Sequence, residues 1–332
     1  MTAPAPHTRA SDAAAGLPGD SWRVRDTAMW LVPVAAYVAF PDHLVLGSQI
    51  VITALFALSL DIILGYAGIV SLGHAAYFGV GAYTAGLLAA HGWGEPLTGL
   101  VAAGAVAAAA GCATSFLVIR GGALTQLMIT LGIGLLLFEA ANRASHLTGG
   151  VDGLSDVHMW RVLGVFRFDL AGKVGYVYSL VVGLAAFLGV RRILCSPFGL
   201  SLRAIREGAV RMQALGAPVA RRLVAAFSLA AALAGVAGGL LAQTTQFVAL
   251  DVLSFPRSAA VLIMLVLGGA GRIYGAFIGA GLFMLMQDYL ARRDVMYWQL
   301  WIGLLLVAVV LFGRGGVLGL AEALRDRLRR AG

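Results

Sequence analysis

An all-α, polytopic membrane fold of about ten transmembrane helices is what three features of this sequence predict. Hydrophobic residues make up 60% of the 332 positions and charged ones only 12%, too little polar surface for a water-soluble domain of this size. Mean hydropathy is correspondingly high, at +0.88. Apolar runs recur along the chain at lengths near the ~20 residues that a helix needs to cross a bilayer. The 44 glycines lie largely within those runs, where small residues let helices approach closely.

Taken in order, residues 1–26 read as a disordered tail, rich in Ala, Pro and small polar residues and without the apolar core of a signal peptide. A transmembrane domain of residues 27–313 follows. Its spans are expected at 27–40, 44–64, 74–90, 97–119, 123–141, 176–190, 223–242, 258–267, 276–290 and 296–312. The first and eighth are short, so the count ranges from eight to ten. The second and third are separated by a glycine-rich break, GYAGIVSLG. A polar stretch over 143–175 holds TGGVDGLSD, Trp160 and FRFD, and a charged island over 191–222 separates the sixth span from the seventh. Residues 314–332 form a basic tail. LGYAG at Leu64–Gly68 and LGGAG at Leu267–Gly271 look alike, and recurrent glycine turn chemistry accounts for them.

Ten spans place both termini on one side. Seven basic residues (Arg143, Arg161, Arg167, Lys173, Arg257, Arg292 and Arg293) fall on the opposite side, and the other 17 of the 24 lie with the termini. The positive-inside rule makes that richer side cytoplasmic. The 191–222 loop is then cytoplasmic, as is the break, and TGGVDGLSD is external. The net charge of +8 reflects this orientation, because the arginines form no basic or aromatic stripe suited to nucleic acid. Cys112 and Cys195 suggest no disulfide framework.

Motifs for autonomous chemistry are missing. A P-loop needs the lysine of GxxxxGK[ST], but the only lysine, Lys173, precedes Val174 on the outer side. No HExxH, CxxC pair or GxSxG occurs. Few ionisable groups interrupt the apolar runs, where each costs ~2.5–3.5 kcal/mol at mid-bilayer. Asp61, late in the second span, and His74, at the start of the third, are the notable ones. Non-helical backbone at membrane depth needs protein or a watery cavity to satisfy it. The break therefore nominates Asp61, Gly65, Ser71, His74 and Tyr77 as pathway residues, the alternative being a plain cytoplasmic turn. Gly149, Gly150, Asp152 and Gly153 make a mobile acidic loop outside.

The charged island carries a helix with clear ends. Ser196 and Pro197 form a start signature and Gly216, with Pro218 beyond, a stop. Leu202, Ile205, Ala209 and Met212 recur at helical spacing, and Arg203, Arg206, Glu207 and Arg211 lie largely elsewhere. One continuous, rigid helix is expected over Ser196–Gly216. From spacing alone it either lies on lipid headgroups or docks by its apolar stripe into a groove on a partner.

The stretches ALFALSLDIILGYAGIVSLGHAAYFGVGAYTAGLLA, GGALTQLMITLGIGLLLFEAANRASHLTGGVDGLSD, SPFGLSLRAIREGAVRMQALGA, AFSLAAALAGVAGGLLA and VLGGAGRIYGAFIGA together resemble the LivM-type permeases of branched-chain amino acid ABC importers. The resemblance runs from about Ala54 to Gly319. It implies an ABC importer permease fold in a bacterial plasma (inner) membrane, multi-pass with both termini cytoplasmic. It also implies a homologous second permease as heterodimer partner, cytoplasmic ABC ATPases, and a periplasmic or surface substrate-binding protein. The chain would bind no cofactor itself, ATP and Mg belonging to the ATPases. The SPFGLSLRAIREGAVRMQALG loop matches the family's ATPase-contacting loop, which favours partner docking over lipid, and TGGVDGL matches its external loop. Asp61 stands where the family commonly has Asn, Gly208 where Asn is usual, and FGRGGVLG replaces a proline-bearing ending. The implied cargo is branched-chain or other hydrophobic amino acids; the alternatives are a urea or short-amide ABC permease, or a stand-alone secondary carrier or channel.

Overall fold

The computed structural model describes residues 24–161, 172–293, 297, 300, 301, 303 and 304. Residues 1–23, FRFD, most of the tenth expected span and the 314–332 tail lie outside the described residues. The helices are α1 (Val24–Ala39), α2 (Leu44–Asp61), α3 (Ala75–Ala90), α4 (Pro96–Val118), α5 (Ala123–Arg143), α6 (Ser145–Thr148), α7 (Lys173–Leu194), α8 (Pro197–Ala214), α9 (Val219–Thr245), α10 (Phe255–Gly268) and α11 (Ile273–Arg293). A π-helical turn, Ile62–Tyr66, extends α2. Among the described residues, Leu44–Tyr66, α4, α5, α7, α9 and α11 are long and apolar enough to cross a bilayer. The shorter apolar helices are Trp30–Ala39 of α1, α3 and α10.

The centre of the bundle is built from α2, α3, α4 and α9. Apolar side chains circle α2, whose 44–66 segment is largely buried, as expected for a helix with neighbours on every side. The run AAALAGVAGG lets α9 reach both α3 and α4 at backbone distance. An added Cβ at Gly235 would stand 2.4 Å from Ala107 Cβ of α4, and one at Gly238 would stand 1.9 Å from Phe78 O of α3. Near the end of α9, Gln243 is fully buried; its Nε2 donates to Pro96 O of α4 at 2.7 Å and its Oε1 accepts from Tyr178 of α7 at 2.9 Å. Burial of that amide is tolerated because both of its polar atoms are satisfied.

Two helices run only part of the way across. The Ser59 Oγ of α2 meets His74 Nε2 at 2.9 Å, so α3 starts about two turns, roughly 10 Å, inside the end of the Leu44–Tyr66 span. From there it runs away from α8, and its Gly86 packs against Val248 and Leu154. Helix α10 also starts inside, where Ser258 Oγ accepts from Ala75 N–H at 2.9 Å. It runs the other way, to Gly268 at the α8 end. The third and eighth expected spans are thus half-spans that begin beside one another, and the break re-enters the bundle, as in the first of the two readings its sequence left open, instead of turning at the surface.

The amphipathic helix also departs from expectation. Ser196 does cap it, its Oγ accepting from Phe198 N–H, and Gly216 at φ 79° ends it. It is not one rigid rod, however, because Gly208 is extended (φ −175°, ψ 84°) and divides it. Nor is its apolar stripe free for a partner: Leu202 and Ile205 are buried, and Ala209 and Met212 pack, partly buried, against the protein's own core. Amphipathic spacing identifies an apolar face without saying which surface covers it. The most exposed apolar residues are Val210 and Leu215, beyond the kink; Leu200, before it, is exposed to a lesser degree.

Replacing Gly238 with Val should force α9 off α3, since the obstructing atom is backbone. Overpacking costs typically ~1–3 kcal/mol, occasionally more. Thermal denaturation of the detergent-purified protein should show a clearly lower midpoint than for Gly189→Val, where an added Cβ meets nothing within 4 Å.

Candidate functional site

Backbone that leaves a helix inside a bilayer has to find new partners for its polar groups. The break does so on three sides. Leu72 N–H donates to Thr130 Oγ1 of α5 at 3.2 Å, Ala75 N–H donates to Ser258 Oγ of α10, and His74 is held to Ser59 of α2. Gly73 lies directly on α5, where a Cβ would come within 1.8 Å of Thr130 O. The His74 ring stacks on Phe56 (5.6 Å, 4°) and meets Tyr77 edge-on at 5.8 Å. Tyr77 in turn shares a 2.7 Å hydrogen bond with Thr114 of α4.

Neither N-cap residue, His74 of α3 or Ser254 of α10, caps its own helix with its side chain, and Ser258 Oγ takes the first N–H of α3. Their N-terminal, dipole-positive ends therefore converge at depth, an arrangement that favours an anionic group. Beside them lies a partly open cavity of about 220 Å³. The break contributes Leu72 and Gly73 to it, α5 contributes Leu131, Gly134, Leu135 and Phe138, and the start of α10 contributes Leu253, Ser254, Phe255, Pro256 and Ser258. Its wall is aliphatic and aromatic, with serine hydroxyls at one edge. Arg257, in the first turn of α10, pairs with Asp251 at 3.1 Å and stands 5.6 Å over the Phe78 ring.

A second cluster forms at the α8 end, where the two similar glycine turns meet. Asp61 Oδ1 accepts from Gly271 N–H at 2.7 Å. A Cβ on Gly65 would stand 2.1 Å from Asp61 Oδ1 and 2.4 Å from Gly271 N, so LGYAG and LGGAG pack backbone to backbone. Arg206 of α8 donates from Nη1 to Gly65 O, and Arg203 lies over the Tyr66 ring at 5.0 Å.

The five residues nominated as pathway are therefore divided. His74 and Tyr77 belong to the mid-depth cluster, and Asp61 and Gly65 to the turn at the α8 end. Ser71 is fully buried, and its Oγ has no hydrogen-bond partner. None of the five lines the cavity. Sequence reading missed Thr130, Gly134, Ser254, Arg257 and Ser258. Serine, proline and arginine opening the unusually short eighth span were the available signal for the last three; Thr130 and Gly134 gave none.

Outside the membrane segments, Gly149, Gly150 and Gly153 take positive φ of 75°, 59° and 76°. The loop they form is pinned, contrary to the mobile loop expected: Leu154 and Val248 exchange backbone hydrogen bonds at 2.9 and 3.1 Å. Asp152 is exposed on it. Of the amphipathic helix, Arg206, Glu207 and Arg211 are exposed, whereas Leu202 and Ile205 are not.

Comparison with known proteins follows the same boundaries. Residues 45–312 match the family described as branched-chain amino acid transport system / permease component. The high-affinity branched-chain amino acid transport system permease protein LivM of Salmonella typhimurium is 29% identical over 296 residues, 82% of this chain and 69% of the relative. That of Escherichia coli is 30% identical over 287 residues, 80% and 67%. The probable branched-chain amino acid transport permease protein LivH of Methanocaldococcus jannaschii is 31% identical over 168 residues, 49% and 51%. No solved structure matches.

Thr130→Val keeps the shape of the side chain and removes the acceptor for Leu72 N–H. An orphaned buried donor costs about 1–3 kcal/mol. Hydrogen exchange of peptides covering 68–75 should accelerate in Thr130→Val and stay unchanged in Thr125→Val, at the start of α5.

Proposed function

We propose, from the premise that this chain belongs to the branched-chain amino acid transport system / permease component family, that it is the membrane-spanning permease of an ATP-driven importer of branched-chain amino acids. A multi-pass helical membrane protein of this family is a transport subunit. ATP hydrolysis is assigned to partner ATPases, solute delivery to an external binding protein, and the other half of the translocation path to a homologous second permease. The α8 end, with both termini, faces the cytoplasm.

The observation that carries the reading is the cavity beside the converging N-termini of α3 and α10. Its volume suits one aliphatic side chain of leucine or valine size, and its wall of Leu131, Leu135, Phe138, Leu253 and Phe255 suits that side chain better than urea or a short amide. The dipole-positive helix starts suit a carboxylate. On the cytoplasmic face, Val210 and Leu215 are 78% and 81% exposed, with Arg211 alongside. They make the surface offered to the ATPase, taking over the role the sequence gave to Leu202 and Ile205.

The test is uptake of radiolabelled leucine and valine into proteoliposomes holding the permease with its ATPase, second permease and binding protein. Uptake should require ATP and vanish with a hydrolysis-dead ATPase; ATP-independent flux would favour a carrier or channel. Leu131→Trp, which enlarges a side chain of the cavity wall, should reduce leucine uptake at least tenfold, equivalent to about 1.4 kcal/mol. Val210→Asp should weaken ATPase copurification while leaving membrane insertion intact.

A further inference from the structure

We infer that Arg206 and Asp61 form a latch that carries movement of α8 into the membrane domain, through the Gly65 carbonyl and the Gly268–Arg272 turn; this rests on the permease reading above. The contacts that support it cross three elements distant in sequence. Arg206 Nη1 donates to Gly65 O in the π-helical turn that ends α2. Asp61 Oδ1, one turn earlier on α2, accepts from Gly271 N–H in the α10–α11 turn. The guanidinium bridges the two sites, because an added Cβ at Gly271 would lie 3.3 Å from Arg206 Nη1. Gly68 packs on the stem of the same arginine, where its Cβ would come within 2.9 Å of Arg206 Cγ.

Asp61 is fully buried, and its Oδ2 has no hydrogen-bond partner. A buried carboxylate with one satisfied oxygen is costly to keep, and the Arg206 guanidinium beside it supplies compensating charge. The carboxylate faces the Gly271 amide instead of the cavity, which removes it from the substrate path and makes it a positioning residue. Arg206 is exposed as a whole residue, yet its stem packs on Gly68 and its tip reaches into the turn. It belongs to the limb of α8 that packs on the core through Leu202 and Ile205. Gly208 separates that limb from the one bearing Val210 and Leu215. A pull on the outer limb, which itself rests on the core through Ala209 and Met212, enters the inner limb two residues from Arg206. One route from there runs through Gly65 and the break to α3; the other runs through Asp61 and Gly271 to α10. These are the two half-spans whose N-termini meet beside the cavity.

Two arms test the latch. In the purified permease alone, Arg206→Ala should speed hydrogen exchange in peptides covering 62–72, and Asp61→Ala, which removes the acceptor for Gly271 N–H, should speed exchange in 268–273, each by roughly tenfold, the size expected for losing a charge-assisted hydrogen bond. Unchanged exchange in both would overturn the mechanical link, whatever the protein transports. In the complete complex, Arg206→Ala should retain ATPase copurification and ATP hydrolysis while leucine taken up per ATP falls at least tenfold, with Arg206→Lys intermediate. If Arg206→Ala loses the ATPase from the complex, Arg206 is a docking residue and the latch is wrong; an unchanged uptake-to-hydrolysis ratio also refutes it. Should wild type itself show no ATP-driven uptake, the permease reading fails, and the exchange arm still decides the link. If Asp61→Ala does not fold, Arg206→Ala, altered at an exposed position, carries both arms.

Discussion

Inside a bilayer there is no water to receive a backbone N–H or C=O that leaves a helix. Among the described residues the chain leaves helical geometry there between α2 and α3 and before α10, and both departures are held by a few polar contacts. Thr130 takes Leu72 N–H, Ser258 takes Ala75 N–H, and His74 meets Ser59. Two of these contacts belong to elements that line the cavity, so the groups that permit the break also shape the space beside it. Glycines at the crossings matter for the same reason. Without close approach at Gly73 and Gly238, the hydroxyls and amides would not come within reach.

The same economy of contacts suits a permease driven, as proposed above, by an ATPase outside the membrane. The amphipathic helix is anchored by its apolar stripe to its own bundle, which leaves the far side of the kink for a partner. Charged groups at the α8 end then act at the turns. Arg206 and Asp61 do not form a close ion pair with each other; each holds a backbone group of a glycine turn. Backbone contacts of this kind fix register between elements, and register is what a conformational signal must change.

Helix positions were legible in the sequence because long apolar runs need only length and composition to be recognised. The start of α8 was readable from Ser196 and Pro197. Orientation of a face was not: Leu202 and Ile205 announced an apolar stripe, and only packing decides that it turns inward. Depth was not legible either. GYAGIVSLG announced a break, but its re-entry depends on Thr130 and Ser258, which lie far along the chain and look ordinary in their own runs. Asp61 was noticed as a buried charge and assigned to the pathway. Its true partner, Gly271 N–H, is a backbone group and so leaves no mark in sequence. The likeness of LGYAG and LGGAG was seen as shared turn chemistry, and the two turns are in fact in contact.

The central claim is that the meeting point of α3 and α10 lies on a solvent-reachable path through the assembled transporter. With Cys112 and Cys195 replaced, single cysteines at Leu72 and Ser254 can be challenged with a small, membrane-impermeant, charged thiol reagent in the complete complex. The account predicts modification at both positions, at rates that differ between the nucleotide-free and the ATP-trapped states and that fall in the presence of leucine-loaded binding protein. Absence of modification in every state, with an exposed control cysteine at Asp152 fully labelled, would contradict it.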